Sequence, residues 1–237
     1  MKTEMQASVM LITGTSRGIG RALAAYYCDK GYSVIGCSRG KSNLKQDNYK
    51  HVIADISVEK DILDIFKMIR SEFGQLNILI NNAAVNPAII NAALVPLSSI
   101  KKTFETNVFA PMIFCREAVK MMSRKKSGKI INLSSMAAKL EVPGESIYTS
   151  TKAAITSYSR VLAKEVYNSG ITVNVIAPSV IVSDLSAKIN PLKLKEVLDR
   201  NAINHWGKMD DVFNAMDFLI HTNSDAITGQ VIYLGGV

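Results

Sequence analysis

Four side chains in the middle of the chain have the types and spacing for proton chemistry. Tyr148 and Lys152 stand four residues apart in "YTSTK", so on a helix they share one face. An ammonium beside a phenol favours phenolate and lowers the tyrosine pKa from about 10 towards the working range of an acid/base catalyst. On spacing alone, a surface Tyr and Lys pair is the better description. Upstream, "NLSS" ends a strand-like run at Ser134 and Ser135, where a hydroxyl would emerge at the carboxyl edge of a parallel sheet. Ligands of open parallel sheets bind at that edge.

A second constellation is built of glycine. In "LITGTSRGIG" the pattern is Gly14-x-x-x-Gly18-x-Gly20, set between an apolar run and a helical stretch that ends at Gly31. Such a turn lets the backbone approach a diphosphate and aims helix N-terminal donors at it. A glycine turn with no ligand remains the alternative at this point, but the placement after the first strand and before the first helix is the context that a phosphate-binding loop requires.

These groups need a scaffold, and the hydropathy pattern describes one. Strand-like runs at 8–13, 33–38, 50–55, 76–81, 128–134, 171–177 and 230–235 alternate with helical patterns near 18–30, 58–73, 98–124, 146–169 and 210–221. Parallel strands need long crossovers, and helices provide them, so the expected class is α/β with a parallel sheet covered on both faces. No Pro/Gly/Ser-rich linker divides the 237 residues, and one domain over 1–237 is expected.

Composition narrows the functional classes. The net charge is +8, which permits affinity for nucleic acid, anionic cofactors, acidic carriers or a membrane surface. The basic residues are mostly dispersed, and the one dense patch, Arg124, Lys125, Lys126 and Lys129, falls between a helix and a strand. No recognition motif or basic-aromatic interleaving accompanies the charge, so no nucleic-acid partner is expected. The N-terminus lacks the apolar run of a signal peptide, and no window approaches the ~20 apolar residues of a membrane span. The expectation is a cytoplasmic protein without a membrane partner. Cys28, Cys37 and Cys115 are scattered without metal-ligand spacing, as are His51, His205 and His221, so neither disulfide nor metal is expected.

The chain resembles the short-chain dehydrogenase/reductase family, most closely its 3-oxoacyl-[acyl-carrier-protein] reductase-like members. The resemblance runs from about Val9 to Gly236 and rests on motifs in order: "TGTSRGIG", "NNAA" at Asn81 to Ala84, "TN" at Thr106 and Asn107, Ser135, the Tyr148/Lys152 pair, "ITVNVIAP" and "ITGQ". It implies a Rossmann fold with a doubly wound, seven-stranded parallel sheet, and a tetrad of Asn107, Ser135, Tyr148 and Lys152. Tyr148 would protonate a carbonyl oxygen as hydride arrives from a nicotinamide, and Ser135 would hydrogen-bond that oxygen. Lys152 would tune the tyrosine and bind ribose hydroxyls, and Asn107 would hold a water that replenishes the proton. Ser134 would stabilise the strand end and point away from Ser135.

The resemblance also implies the cofactor contacts. Gly14, Ser16, Arg17, Gly18, Ile19 and Gly20 form the diphosphate loop; Asp55 and Ile56 flank the adenine; Asn82 and Ala83 line the adenine-ribose side; Pro178, Ile181 and Ser183 hold the nicotinamide side, with Tyr148 and Lys152. Ser179 stands where the family usually has glycine, and Ser183 where it has threonine. At the end of the second strand, "CSRG" places Ser38 and Arg39 where NAD enzymes carry Asp or Glu. An acidic residue would repel a 2′-phosphate and arginine pairs with it, so NADPH/NADP+ is the expected cofactor. The substrate loop is expected at about 183–206, with "VNPAII" at 85–90 and "MAAKLEVPGESI" at 136–147 completing an apolar pocket. A 3-oxoacyl-type ketone fits it, with a sugar, polyketide or cyclic ketone as the alternative and a non-catalytic NADP-binding regulator as the rival of another class. The basic patch could meet an acidic acyl carrier, although Ser169 stands where the carrier-protein reductases show a second basic residue. The helix from Tyr148 to Val166 carries more apolar surface than one sheet-facing stripe requires, which its own chain or another subunit must cover; the resemblance implies a homotetramer.

Overall fold

The computed structural model describes residues 7–87, 89–181 and 202–236. Ser183 and most of the expected substrate loop lie outside them. Seven strands, β1 (Val9–Thr13), β2 (Ser33–Ser38), β3 (Tyr49–Ile53), β4 (Ile78–Asn81), β5 (Gly128–Leu133), β6 (Ile171–Ala177) and β7 (Val231–Tyr233), form one sheet. Their order is β3-β2-β1-β4-β5-β6-β7, and every pair is parallel. This is the doubly wound Rossmann architecture.

Among the described residues the α-helices are α1 (Gly18–Asp29), α2 (Glu59–Glu72), α3 (Leu97–Phe104), α4 (Ala110–Lys125), α5 (Ala137–Leu140), α6 (Ser146–Val166) and α7 (Met209–Ile220). They cover both sheet faces, which is why β1 is apolar at every position before its terminal threonine. Val9 and Leu11 enter one core with Ile65 and Phe66 of α2, Phe114 of α4 and Leu162 of α6. Met10 and Ile12 enter the other with Leu23 and Tyr27 of α1 and Met216 of α7. A Leu11→Ala change at this fully buried position would cost about 2–5 kcal/mol.

The helical pattern at 98–124 is not continuous. Glu105–Phe109 form a π turn between α3 and α4, with the Ala110 N–H bonded to the Glu105 carbonyl. A π turn holds one residue more than an α turn, so α4 leaves it with a changed facing.

Two devices position the working ends of the strands. Strand order reverses between β1 and β4, and there the Thr13 hydroxyl accepts the N–H groups of Asn82 and Ala83 at 3.0 and 2.9 Å. The Asn82 amide donates back to the Thr13 carbonyl at 2.8 Å. Below α6, Asn81 donates to Asn132, and Asn132 to Ser159, each at 2.8 Å. A buried polar chain of this kind fixes the register of α6 on β5.

Candidate active site

One cleft of about 720 Å³ opens along the carboxyl ends of β1, β2, β4, β5 and β6. Its position at the strand-order reversal follows the general rule for open α/β sheets. Of the residues singled out from the sequence, Gly14, Ser16, Arg17, Gly18, Ile19, Ser38, Arg39, Asp55, Ile56, Asn82, Ala83, Ser135, Tyr148, Lys152, Pro178 and Ile181 line it. Gly20 and Asn107 do not.

The glycine loop is built for close approach. Gly14 has φ +76°, and a Cβ there would stand 2.9 Å from both Ala83 Cα and Asn82 Nδ2. Gly18 has φ +58° and open space where its side chain would be. Gly20 sits behind the loop, where a Cβ would collide with the Gly14 carbonyl and the Asn82 amide. The role of Gly20 is therefore to let α1 pack under the loop. Ser179, at the glycine position of the family pattern, keeps ordinary backbone geometry, since Lys126 and Glu141 are the non-glycine residues with positive φ among those described.

At the adenosine end, Asp55 accepts the N–H and hydroxyl of Ser57 at 3.0 and 2.7 Å. These bonds hold its carboxyl below the usual range, with Arg39 and Lys102 adding favourable charge. Arg17 and Arg39 are exposed at the cleft edge. Lys102 also lines the cleft and was not anticipated. Its place on α3 becomes relevant only once the chain is folded.

At the other end, Ser134 and Ser135 diverge. Ser134 turns inward, with its hydroxyl 3.0 Å from the Lys152 carbonyl and 2.9 Å from Thr156 Oγ1. Ser135 faces the cleft, accepts the Ala137 N–H at 3.1 Å and hydrogen-bonds Tyr148. Lys152 is 4% exposed; its ammonium donates to the Leu133 carbonyl at 2.8 Å and lies 5.7 Å from the Tyr148 ring centre. Burial lowers its pKa to about 8.

Tyr148 departs from expectation. Burial pushes it up to about 12; the Ser135 hydrogen bond opposes this and the charge of Glu145 adds to it. The hydrogen bond of the nearby Lys152 ammonium goes to the Leu133 carbonyl rather than to the phenol. The phenol is thus held protonated, as a proton donor requires. Glu145 lines the cleft one helical turn before Tyr148, in a segment expected to offer few fixed charges.

Asn107 is 2% exposed, and its side chain is engaged. It accepts the Val85 N–H at 2.8 Å, donates to the Val85 carbonyl at 2.8 Å and contacts Thr151 Oγ1 at 3.1 Å. It binds the segment after β4 to α6 from its place in the π turn. The basic patch is also differently placed. Arg124 and Lys125 end α4 at the amino edge of the sheet, opposite the cleft within this chain, and Lys129 is ion-paired with Asp225.

A family profile described as short chain dehydrogenase matches residues 8–193. The chain belongs to the short-chain dehydrogenase family. It is accordingly an oxidoreductase, and its cleft has the room, the glycine cradle and the cationic edge that a nicotinamide dinucleotide needs. Among short-chain dehydrogenases, the 3-oxoacyl-[acyl-carrier-protein] reductase of Rickettsia prowazekii is 30% identical over 98% of this chain and 97% of its own. The enzyme of that name from Haemophilus influenzae is 29% identical over 98% of each. The solved 3-ketoacyl-(acyl-carrier-protein) reductase of Brucella melitensis, complexed with NADH, superposes with a TM-score of 0.90, 26% identity and 98% coverage of both chains. A 4-hydroxyisoleucine dehydrogenase complexed with NADH gives 0.87 at 27% identity, covering 97% of each. Among the described residues no helix is long and apolar enough to cross a membrane.

Proposed function

We propose that this enzyme uses NADPH to reduce a ketone to a secondary alcohol, and that the ketone is of 3-oxoacyl type. The observation that carries the reading is one continuous cleft lined by Arg17 and Arg39 at one end and by Ser135, Tyr148 and Lys152 at the other. When bound, the nicotinamide supplies the hydride. Tyr148 protonates the carbonyl oxygen, and Ser135 hydrogen-bonds that oxygen as charge develops on it. Lys152 remains largely ammonium at neutral pH and binds ribose hydroxyls while returning a proton to Tyr148. Resupply runs from solvent through water held beside Asn107, which fixes the wall of that path. Ser183, expected on the nicotinamide side, lies outside the described residues.

Arg39 and Arg17 favour NADPH because a 2′-phosphate brings extra negative charge that their guanidinium groups can meet with charge-assisted hydrogen bonds. The pocket walls at Val85, Ile89, Met136, Val142 and Pro143 favour an apolar acyl group. The patch at Arg124 and Lys125 faces away from this mouth, so an acyl carrier delivering its substrate here would meet other residues. Exposed Phe109 and Val161 on the α4/α6 side supply the surface for a homotetramer.

The deciding experiment follows NADPH oxidation with an acetoacetyl thioester, on a small thiol and on acyl carrier protein, alongside keto-sugars and cyclic ketones. Turnover of the thioesters supports the assignment. Inert thioesters with an active sugar or cyclic ketone overturn the acyl reading and leave the reductase; NADPH binding with no turnover of any ketone overturns the catalytic one.

A further inference from the structure

Tyr49 of β3 takes no part in the chemistry above, yet its hydroxyl stands between two segments that line the cleft. Tyr49 and His51 are two residues apart on β3 and share one face of the sheet. The Tyr49 hydroxyl lies 2.9 Å from Thr15 Oγ1 and 3.0 Å from His51 Nδ1, and it also hydrogen-bonds Ser42. Burial raises the phenol above its ordinary value, so it stays a hydroxyl at physiological pH, able to donate to one neighbour and accept from another.

His51 carries the link onward. Its Nε2 lies 2.8 Å from the Gly40 carbonyl, and since a carbonyl can only accept, Nε2 donates. Ser38 Oγ donates to the same carbonyl at 2.9 Å. At the opposite end, Thr15 is fully buried, and its N–H and that of Gly14 donate to the Cys37 carbonyl at 3.3 and 2.8 Å. One chain of hydrogen bonds thus runs from the glycine loop, through Thr15, Tyr49 and His51, to the Ser38–Gly40 turn.

The chain has to cross a strand. β2 separates β1 from β3, and Gly36, which pairs with His51, lies at the crossing. A Cβ on Gly36 would collide with Tyr49 Oη and Thr15 Oγ1. Glycine inside a strand weakens it, and here the missing side chain is the space in which the two hydroxyls meet. Gly14, Ser16 and Gly18 line the cleft at one end of the chain, and Ser38 and Gly40 at the other. A ligand that touches both segments needs them at one separation, and a separation set beforehand removes an ordering cost from binding.

We propose that Tyr49 is a positioning residue for the dinucleotide, its hydroxyl setting the separation of the glycine loop from the Ser38–Gly40 turn. The inference rests on the dinucleotide reading of the cleft and is indifferent to the choice between NADPH and NADH.

The test measures NADPH and NADH binding by fluorescence titration, and adenosine binding by displacement of NADPH. Tyr49→Phe keeps the ring and removes the hydroxyl. Thr15→Val keeps the shape of the threonine without its hydroxyl, and Thr15→Ser keeps the hydroxyl. Tyr49→Phe and Thr15→Val should each weaken NADPH and NADH about 3–10-fold, the range expected of one hydrogen bond. The double variant should bind no more weakly than Tyr49→Phe, and Thr15→Ser should bind as the native enzyme does. Adenosine reaches the turn and not the glycine loop, so its affinity should hold throughout, because His51 still bonds Gly40. Unchanged dinucleotide affinity in the hydroxyl deletions overturns the role of Tyr49. Weakening by Thr15→Ser as large as by Thr15→Val, or an equal loss of adenosine and dinucleotide, marks a general loosening of the fold and overturns it too. A native enzyme that binds neither NADPH nor NADH overturns the dinucleotide reading and this inference with it. If Tyr49→Phe does not fold, the contrast between Thr15→Val and Thr15→Ser decides.

Discussion

Removing Arg39 and installing a carboxylate beside it is the sharpest probe of cofactor choice. Arg39 is exposed, so its bond to a phosphate belongs at the low end of the charge-assisted range, about 1.5 kcal/mol, or roughly tenfold in Kd. Arg39→Ile should therefore weaken NADPH about tenfold and leave NADH nearly unchanged. Adding Ser38→Asp puts a negative charge some ~5 Å from a dianion, which costs about 1–2 kcal/mol even at the dielectric of water. The double variant should shift the NADPH/NADH affinity ratio by on the order of 100-fold. Fluorescence titration of both cofactors at fixed ionic strength reads that ratio directly. Added salt should shrink the native preference, because the pairing sits at the surface. A ratio within about twofold of the native value in the double variant would refute the reasoning and leave cofactor choice to other groups.

Tyr148→Phe keeps the ring and removes the proton donor, so turnover should fall at least ~100-fold with NADPH affinity nearly intact; substantial residual turnover would remove Tyr148 from the mechanism. Lys152 has a folded pKa of about 8 against an ordinary 10.5, so its ammonium is lost as pH rises through 8, and kcat/KM for the cofactor should decline there. The unfolded chain holds that proton more tightly, so burial of the ammonium destabilises the fold below about pH 8 and the penalty is relieved between 8 and 10.5. Lys152→Met should accordingly abolish turnover and raise the melting temperature at pH 7 by a few degrees; a lower melting temperature contradicts the penalty. Gly20→Ala drives a methyl into the Gly14 carbonyl and should weaken NADPH and NADH alike, in contrast to the selective Arg39 change. Equal cofactor binding by this variant would show that the loop relaxes without consequence.

Most of the scaffold is readable because buried parallel strands are short apolar runs and their crossovers are amphipathic. The strand at Val9–Thr13 and the helix from Ser146 announce themselves in this way. The π turn at Glu105–Phe109 does not, since one added residue leaves no periodic mark in five positions. Tyr148 and Lys152 are legible as a pair from spacing, but the direction of the tyrosine shift depends on burial and on Glu145, neither of which spacing contains. The placement of Arg124 and Lys125 at the far edge of the sheet follows from topology, and a charge count along the chain carries none. The Thr15–Tyr49–His51 chain joins a loop to the third strand, and no motif records a contact of that kind.

The π turn also sets a limit on how this chain can be edited. It holds Asn107 against Val85 and Thr151 while Phe114, Cys115, Ala118 and Met122 of the following helix lie in the core. Each residue of an α-helix advances the facing by about 100°. Deleting any one residue within 105–109 would heal the helix into a regular spiral and rotate one of those two sets away from its partners by that angle. A shortened relative would look harmless in an alignment, with a single gap in an otherwise intact helix, yet it would have to choose between a packed core and a seated asparagine. The length of this segment is thus as constrained as the identity of any residue in it.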